Sequence, residues 1–249
     1  MKTCYRSERH RKFQKSRAKR ILRRRRRLYK RSKKVRSANQ IRVYATQDLH
    51  KVTRIKDLKI ILSDFELVVK DPRFLRVGRD FSNFKLRPRE AWANWLLCVI
   101  GNFEAGDDDL TFSTDPTGGD GLIVSKKTGK LMRTEHVFSP AQNIKDLTSA
   151  EQQIEIAIAH KIKRGRDYAK GKQLVVFSEA VGSWTPNRLA KKLVGTHYFD
   201  SIWVVALRSS GDSGYDYTVS EMQLIGDFAP IWEVKITSLF NSWQVVRVQ

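Results

Sequence analysis

Two carboxylates, Asp120 and Glu135, occupy positions at which a divalent metal ion could be bound. Asp120 follows a glycine pair at the mouth of the apolar stretch Gly121 to Ser125, and Glu135 lies fifteen residues later within Met132 to Phe138. The apolar character of both stretches predicts two strands joined by a short turn. Mg²⁺ binds a few carboxylates together with waters and a substrate phosphate, and it can activate a water and stabilise charge on phosphorus. The two acids therefore predict a site for Mg²⁺ or Mn²⁺.

The elements around these acids follow a definite order. A helix that starts at Pro88 precedes Asp120, and Glu135 is followed by a helix from Ser149 and the apolar strand Leu174 to Ser178. Over residues 88–207 this order resembles the PD-(D/E)xK nuclease superfamily. The resemblance implies a restriction-endonuclease-like fold, phosphodiester hydrolysis, and Asp120 and Glu135 as metal ligands. Some members, such as the Holliday-junction resolvases, add a glutamate from the first helix, and Glu90 stands at that place.

The sequence departs from the superfamily pattern at Val137, where a lysine that orients the attacking water is expected. A lysine from the following helix replaces it in some members. On the helix Ala150 to Lys163, Ile154 and Ile158 mark the buried face, and the helical period places Lys161 between them. Because an unpaired buried charge is costly, Lys161 is predicted to reach a partner, and the resemblance implies that it is the catalytic lysine. Weaker candidates lie on the hairpin, at Lys126, Lys127 and Lys130.

Each of these residues also has a purely structural interpretation. Asp120 could serve the turn beside the glycines, and Glu135 could pair with Arg133 or a hairpin lysine at the surface. Lys161 could extend from the edge of its helix into solvent. His136 points to the opposite face of its strand from Glu135, so it is predicted to be structural rather than a metal ligand.

A literal Glu-x-Lys motif also occurs at Glu233 and Lys235, with Asp216 or Asp227 as possible partners. No helix and apolar strand follow it to complete the nuclease-like order. The pair could instead form the polar face of an edge strand whose alternate residues point inward.

The segment Gly182 to Arg188 separates a predicted strand from a predicted helix. Because free amide groups point outward at a helix start, Asn187 and Arg188 could bind a phosphate, and Trp184 could stack on a base. The alternative is a turn in which Trp184 packs against the core.

Periodicity predicts an α/β fold with a mixed central sheet flanked by helices, preceded by a basic arm and a small helical segment. The predicted divisions are the arm at 1–40, a helical connector at 41–84 and a nuclease-like α/β domain at 85–249. Pro72, Gly78 and Pro88 predict an ordered linker to the main domain at Asp71 to Arg87. Further strands are predicted at Ile202 to Leu207, Tyr215 to Ile225, Ile231 to Ile236 and Trp243 to Val248, and a helix at Pro186 to Val194.

The N-terminal arm carries most of the net charge. Residues 1–36 contain 19 Lys or Arg and one acid, which amounts to +18 of the formal +22. Such a field attracts polyanions, and nucleic acid is the expected partner, DNA rather than RNA. A nuclear-localisation signal, an organelle transit peptide or a ribosomal-protein-like tail would have a similar composition. The residues predicted to contact phosphates are Arg23, Arg24, Arg25, Arg26, Arg27, Lys30 and Arg31.

Composition argues against several classes of protein. The two cysteines, Cys4 and Cys98, support neither a disulfide framework nor a Cys-based zinc site, and a reducing intracellular location in cytoplasm, nucleoid or nucleus is expected. The absence of a run of 18 apolar residues argues against a membrane partner. The oligomeric state is left open, and a homodimer is compatible with the sequence.

These features predict a Mg²⁺-dependent endonuclease that hydrolyses DNA. The alternative is a non-catalytic nucleic-acid-binding or particle-assembly protein on a nuclease-like scaffold, which Val137 favours.

Overall fold

The computed structural model describes residues 57–78, 80, 86–141, 149–223 and 225–249. The basic arm, with its predicted phosphate-binding residues Arg23 to Arg27, Lys30 and Arg31, lies outside the described residues, as does the connector before Asp57. The helices are α1 (Leu58–Leu62), α2 (Glu66–Lys70), α3 (Pro72–Val77), α4 (Pro88–Ala105), α5 (Ala150–Ile162), α6 (Arg166–Ala169) and α7 (Pro186–Leu193), with a 3₁₀ turn at Ser63–Phe65. The strands are β1 (Leu110–Ser113), β2 (Leu122–Ser125), β3 (Leu131–Ser139), β4 (Lys172–Ser178), β5 (Ser201–Gly211), β6 (Gly214–Gln223), β7 (Ile231–Thr237) and β8 (Trp243–Arg247).

The eight strands form one mixed sheet whose order in space follows the order in the chain. β3, β4 and β5 are parallel neighbours, and all other neighbouring pairs are antiparallel. Each parallel connection needs a crossover, which α5 and α6 supply between β3 and β4, and α7 between β4 and β5. The α/β class and the mixed sheet predicted from the sequence are confirmed.

Strand β4 is buried on both faces of the sheet. Val175 and Phe177 belong to the core that contains α1 to α4, whereas Leu174 and Val176 belong to the core under α5 and α7. Since successive side chains of a strand point to opposite faces, β4 forms the middle layer between two layers of helices. This placement explains its continuous apolar sequence.

Helix α4 is buried along most of its length, from Pro88 to Ile100. Its tryptophans Trp92 and Trp95 stack with ring centroids 5.0 Å apart, and Phe65 lies 5.0 Å from Trp92. Pro88 starts the helix with a φ already suited to it, and Gly106 ends it in the left-handed conformation. A helix with apolar side chains around most of its circumference must be covered on two sides, and the sheet covers one side while helices α1 to α3 cover the other.

Two elements differ from the sequence prediction. The stretch 71–87 was predicted as a linker, but α3 forms because the Asp71 side chain accepts a hydrogen bond from Arg73 N and Leu75 is buried. Strand β1 was not predicted; its four residues pair with β2 at the sheet edge. Among the described residues no helix is long and apolar enough to cross a membrane.

Candidate active site

Asp120 and Glu135 face each other across the pairing of β2 with β3. The strand pairing ends with Leu122 opposite Arg133, and one residue further Thr134 N donates to Gly121 O at 2.9 Å. One more residue in the same register places Asp120 opposite Glu135. The Asp120 carboxylate is fixed by a 2.8 Å hydrogen bond from the backbone N–H of His136. The structure therefore brings the two predicted acids to the same point of the sheet.

Lys161, near the end of α5, reaches Glu135. Its Nζ lies 2.6 Å from Glu135 Oε1, and both side chains are largely buried, with 12% and 9% of their surface exposed. Ser149 is the N-cap of α5, its side chain accepts a hydrogen bond from Gln152 N, and Ile154 and Ile158 pack into the core beneath the helix. Because the helix is held at that face, Lys161 points toward β3, as its helical phase predicts.

Three further residues that the sequence did not indicate surround Glu135. Lys172 Nζ lies 3.5 Å from Glu135 Oε2, and an Arg164 Nη lies 3.8 Å from Oε1. Both cations lie over the ring of Tyr168, each 4.1 Å from its centroid. Three cations, Lys161, Lys172 and Arg164, thus lie beside the two carboxylates Glu135 and Asp120.

The two acids respond to this environment in opposite directions. Burial acts to raise the pKa of Glu135, but hydrogen bonds from Lys161 and Tyr168 and the charge of Lys172 hold that pKa below its ordinary value. Burial raises the pKa of Asp120 despite the hydrogen bond from His136 N, and the charge of Glu135 acts in the same direction as burial. The surrounding cations consequently favour the charged form of Glu135, whereas burial disfavours the charged form of Asp120.

Glu90 lies in the first turn of α4 and serves as part of its N-terminal cap. Its Oε2 accepts a 3.2 Å hydrogen bond from Arg87 N. Burial and the negative charge of Asp120 raise the pKa of Glu90 to about 7. The negative charge of Asp120 therefore affects Glu90, but the Glu90 carboxylate already accepts a hydrogen bond from the backbone at the start of its own helix.

Val137 and His136 lie on opposite faces of β3. Val137 packs against the apolar core under α5, so an apolar side chain fills the position of the expected motif lysine. His136 faces α4, where its Nε2 lies 3.2 Å from Asn94 Oδ1. Burial and the charge of Arg89 lower the pKa of His136 to about 3, which keeps the ring neutral. Its predicted placement on the face away from Glu135 is confirmed.

The hairpin lysines point elsewhere. Lys126 Nζ bonds to Asp108 at 3.0 Å and Lys127 Nζ to Asp107 at 2.6 Å, in the loop before β1. Lys130 is exposed after the turn. Of the lysine candidates raised from the sequence, Lys161 is thus the one that contacts Glu135.

The Glu233-x-Lys235 motif lies on β7, remote in the sheet from β3. Glu233 pairs with Arg208 on β5 and lies 3.9 Å from Lys235 Nζ. Trp232, Val234 and Ile236 are buried, so the motif forms the polar face of a strand whose alternate residues point inward.

Arg188 is held by an acid. Its guanidinium donates to both oxygens of Glu151, at 2.8 Å from Nε and 2.6 Å from Nη2, and Lys192 also contacts Glu151 at 3.1 Å. The hydrogen bond from Arg188 lowers the pKa of Glu151 to about 2. The predicted phosphate contact at Arg188 therefore has a carboxylate in its place, while Trp184 packs at the edge of the core under α5 and α7.

No group of three or more His, Cys, Asp or Glu side chains within the described ranges has the geometry of a metal site. Asp120 and Glu135 supply two carboxylates, and Glu90 does not join them as a third. No family model, curated protein or solved structure matches the chain.

Proposed function

We propose that the protein is a metal-dependent nuclease-like enzyme of restriction-endonuclease-like fold that hydrolyses phosphodiester bonds in DNA. The observation that carries the proposal is the 2.6 Å contact of Lys161 with Glu135, at the point where Asp120 faces the same carboxylate. The order α4, β1 to β3, α5, β4 around these residues supports it. The basic arm supports a nucleic-acid substrate because it supplies +18 of the net charge.

The residues at this point fit a divalent cation. Mg²⁺ commonly takes one or two carboxylates and completes its shell with waters and substrate phosphate, so Asp120 and Glu135 suffice. Burial, and after it the charge of Glu135, raises the pKa of Asp120, and a bound cation would offset both effects. Mg²⁺ or Mn²⁺ bound there would make a water nucleophilic and offset the charge on phosphorus.

The chain's own residues would then divide the remaining work. Asp120 and Glu135 hold position through His136 N and Lys161. The Lys161 ammonium can donate a hydrogen bond to the attacking water or to a phosphate oxygen, a role in which fixed charge stabilises the transition state. Lys172 and Arg164 can attract the phosphate through the remaining positive charge.

A second function is favoured by one observation, namely that Glu135 is already neutralised by Lys161, Lys172 and Arg164 while Val137 fills the motif position. A non-catalytic nucleic-acid-binding or particle-assembly protein would have this arrangement if the ion pairs served stability alone.

Cleavage assays distinguish the two functions. Plasmid, single-stranded DNA and RNA are incubated with the full chain and with Mg²⁺, Mn²⁺ or EDTA, alongside the isosteric variants Asp120→Asn and Glu135→Gln. We expect metal-dependent cutting of DNA that each variant lowers by at least about 100-fold. Equal cutting by parent and variants, or no cutting with either metal, would leave the binding function.

A further inference from the structure

A cavity with a volume of about 640 Å³ lies at the carboxyl ends of β4 and β5. The parallel pairing of these strands ends at Ser178 and Ala206, and β5 continues beyond that point beside β6. The strands separate there, and α2 and α3 close the opposite side. In open α/β sheets, ligands bind in the crevice outside the carboxyl ends of the strands. The volume is within the range of small-molecule sites.

The walls of this cavity combine aromatic rings with cations. Trp184 and Tyr215 line it, and both are partly exposed. The cavity is also lined by three cationic side chains, Lys70, Arg76 and Arg208, and by one acidic side chain, Glu179. A ligand that suits such walls has a flat ring and a negative charge, because bases stack on aromatic rings and phosphates pair with guanidinium groups.

The arginines are held in place yet keep donors for a ligand. Arg76 Nε donates to Glu179 Oε2 at 2.6 Å, and Arg208 pairs with Glu233 through one terminal nitrogen. A guanidinium carries five N–H donors in a planar fork, so the remaining groups of each arginine can bind an anion. Arg76 is 49% exposed and Arg208 is 60% exposed, which leaves both accessible from the cavity.

We propose that this cavity binds a nucleotide, with its base against Trp184 and Tyr215 and its phosphate on Arg76 and Arg208. The site is distinct from the point where Asp120 faces Glu135, so nucleotide binding does not require the proposed cleavage.

Calorimetric titration of the full chain in EDTA tests the site, with AMP, adenosine and inorganic phosphate as probes. We expect AMP to bind more tightly than either of the others, since it alone has both the ring and the charge. Arg76→Gln should weaken AMP binding by about tenfold or more and leave adenosine unchanged. Tyr215→Leu should weaken both AMP and adenosine.

The matched control is Arg247→Gln. Arg247 is 47% exposed and pairs with Glu104 at 3.0 Å, much as Arg76 pairs with Glu179, but it does not line the cavity. A second test that leaves the core untouched is Ser210→Trp, which fills the cavity from an exposed position and should abolish AMP binding. Equal effects of Arg76→Gln and Arg247→Gln, unchanged binding in Ser210→Trp, or phosphate binding as tight as that of AMP would overturn the proposal.

Two more measurements separate related questions. A short single-stranded oligonucleotide that competes with AMP would identify a nucleotide within a strand as the natural occupant, and the lack of competition would identify a free nucleotide. Asp120→Asn should bind AMP as the parent does. Failure of the cleavage assay with intact AMP binding would therefore remove the nuclease proposal alone, and the reverse result would remove the nucleotide site alone.

Discussion

Lys161 Nζ lies 2.6 Å from Glu135 Oε1 although 26 residues separate the two in the chain. The contact joins the end of α5 to the middle of β3, and Val137 lies two residues after Glu135 on the same strand. In the proposed nuclease function, Lys161 would therefore do from the helix what the lysine of the PD-(D/E)xK pattern does from the strand. This relationship leads to two tests.

The first test removes the ammonium. Lys161→Ala is expected to lower metal-dependent DNA cleavage by about 100-fold or more, the usual contribution of a positioned proton-transfer or charge-stabilising group. The measurement is the single-turnover cleavage rate at saturating metal. Lys163→Ala, which removes an exposed lysine at the end of the same helix, should cut as the parent does. Equal losses in both variants would mean that Lys161 acts through general charge only.

The second test moves the lysine back to the strand. In the double variant Lys161→Ala with Val137→Lys, the new ammonium starts from the same face of β3 as Glu135, because the two positions are two residues apart. We expect the double variant to cleave DNA at least about tenfold faster than Lys161→Ala alone. This would recover part of the loss of about 100-fold expected for Lys161→Ala. Val137 packs against the core under α5, so circular dichroism is needed to check that the double variant folds. A folded double variant without recovery would contradict the role given to Lys161.

Much of the fold could be predicted because strong local signals agreed with the tertiary structure. Pro88 and Ser149 begin helices with good capping chemistry, and the apolar run of β4 is long enough to indicate a doubly buried strand. Strand β1 gave no such signal, since its four residues are too short for a period and depend on pairing with β2.

The candidate site was predictable only where a side chain's direction follows from its own element. Helical phase alone indicated Lys161. Lys172 and Tyr168 reach Glu135 through the parallel register of β3 with β4 and the short helix α6, which depend on tertiary contacts. The parallel register places Leu174 beside Glu135, and Lys172 lies two residues earlier on the same face of β4. Lys172 would therefore have been a candidate if the predicted strand had begun at 172 instead of 174.

Acid sensitivity should depend on Glu151. Its pKa is lowered to about 2 by the hydrogen bond from Arg188, so its contribution to stability is present above the ordinary glutamate pKa of about 4.5 and is lost as the pH falls toward 2. Glu151→Gln should lower the free energy of unfolding at pH 7 by about 1.5–3 kcal/mol, the range for hydrogen bonds to charged groups. The difference from the parent should shrink below pH 4.5.

Urea unfolding at pH 7 and at pH 3 measures this effect. Glu155→Gln is the control, because Glu155 also pairs with Lys192 but is 33% exposed, whereas Glu151 is 5% exposed. A pH-independent loss in Glu151→Gln would show that packing rather than charge is responsible.

The basic arm should set affinity for nucleic acid. A chain that starts at residue 41 lacks +18 of charge, so it is expected to bind DNA more weakly and with a smaller dependence on salt. Each phosphate that the protein neutralises steepens the negative slope of log K against log salt by about 0.9, so an arm that neutralises about five phosphates would account for about 4.5 of that steepness. Filter binding across a salt series gives the slope, and circular dichroism confirms that the remainder folds. An unchanged slope would mean that the arm does not bind phosphates.

Gly121 should be needed to place Asp120 opposite Glu135. Its φ is +151°, and a Cβ at this position would lie 2.3 Å from Asn94 Nδ2 and 3.0 Å from Thr134 Oγ1. Gly121→Ala is therefore expected to cost about 1–3 kcal/mol of stability, through backbone strain and the clash with Asn94, and to lower cleavage further by shifting Asp120. Gly118→Ala is the matched control, since Gly118 also has a positive φ, of +87°, but has open space where its Cβ would lie. Equal losses of stability in the two variants, with equal losses of cleavage, would mean that the close approach of Asn94 to Gly121 does not position Asp120.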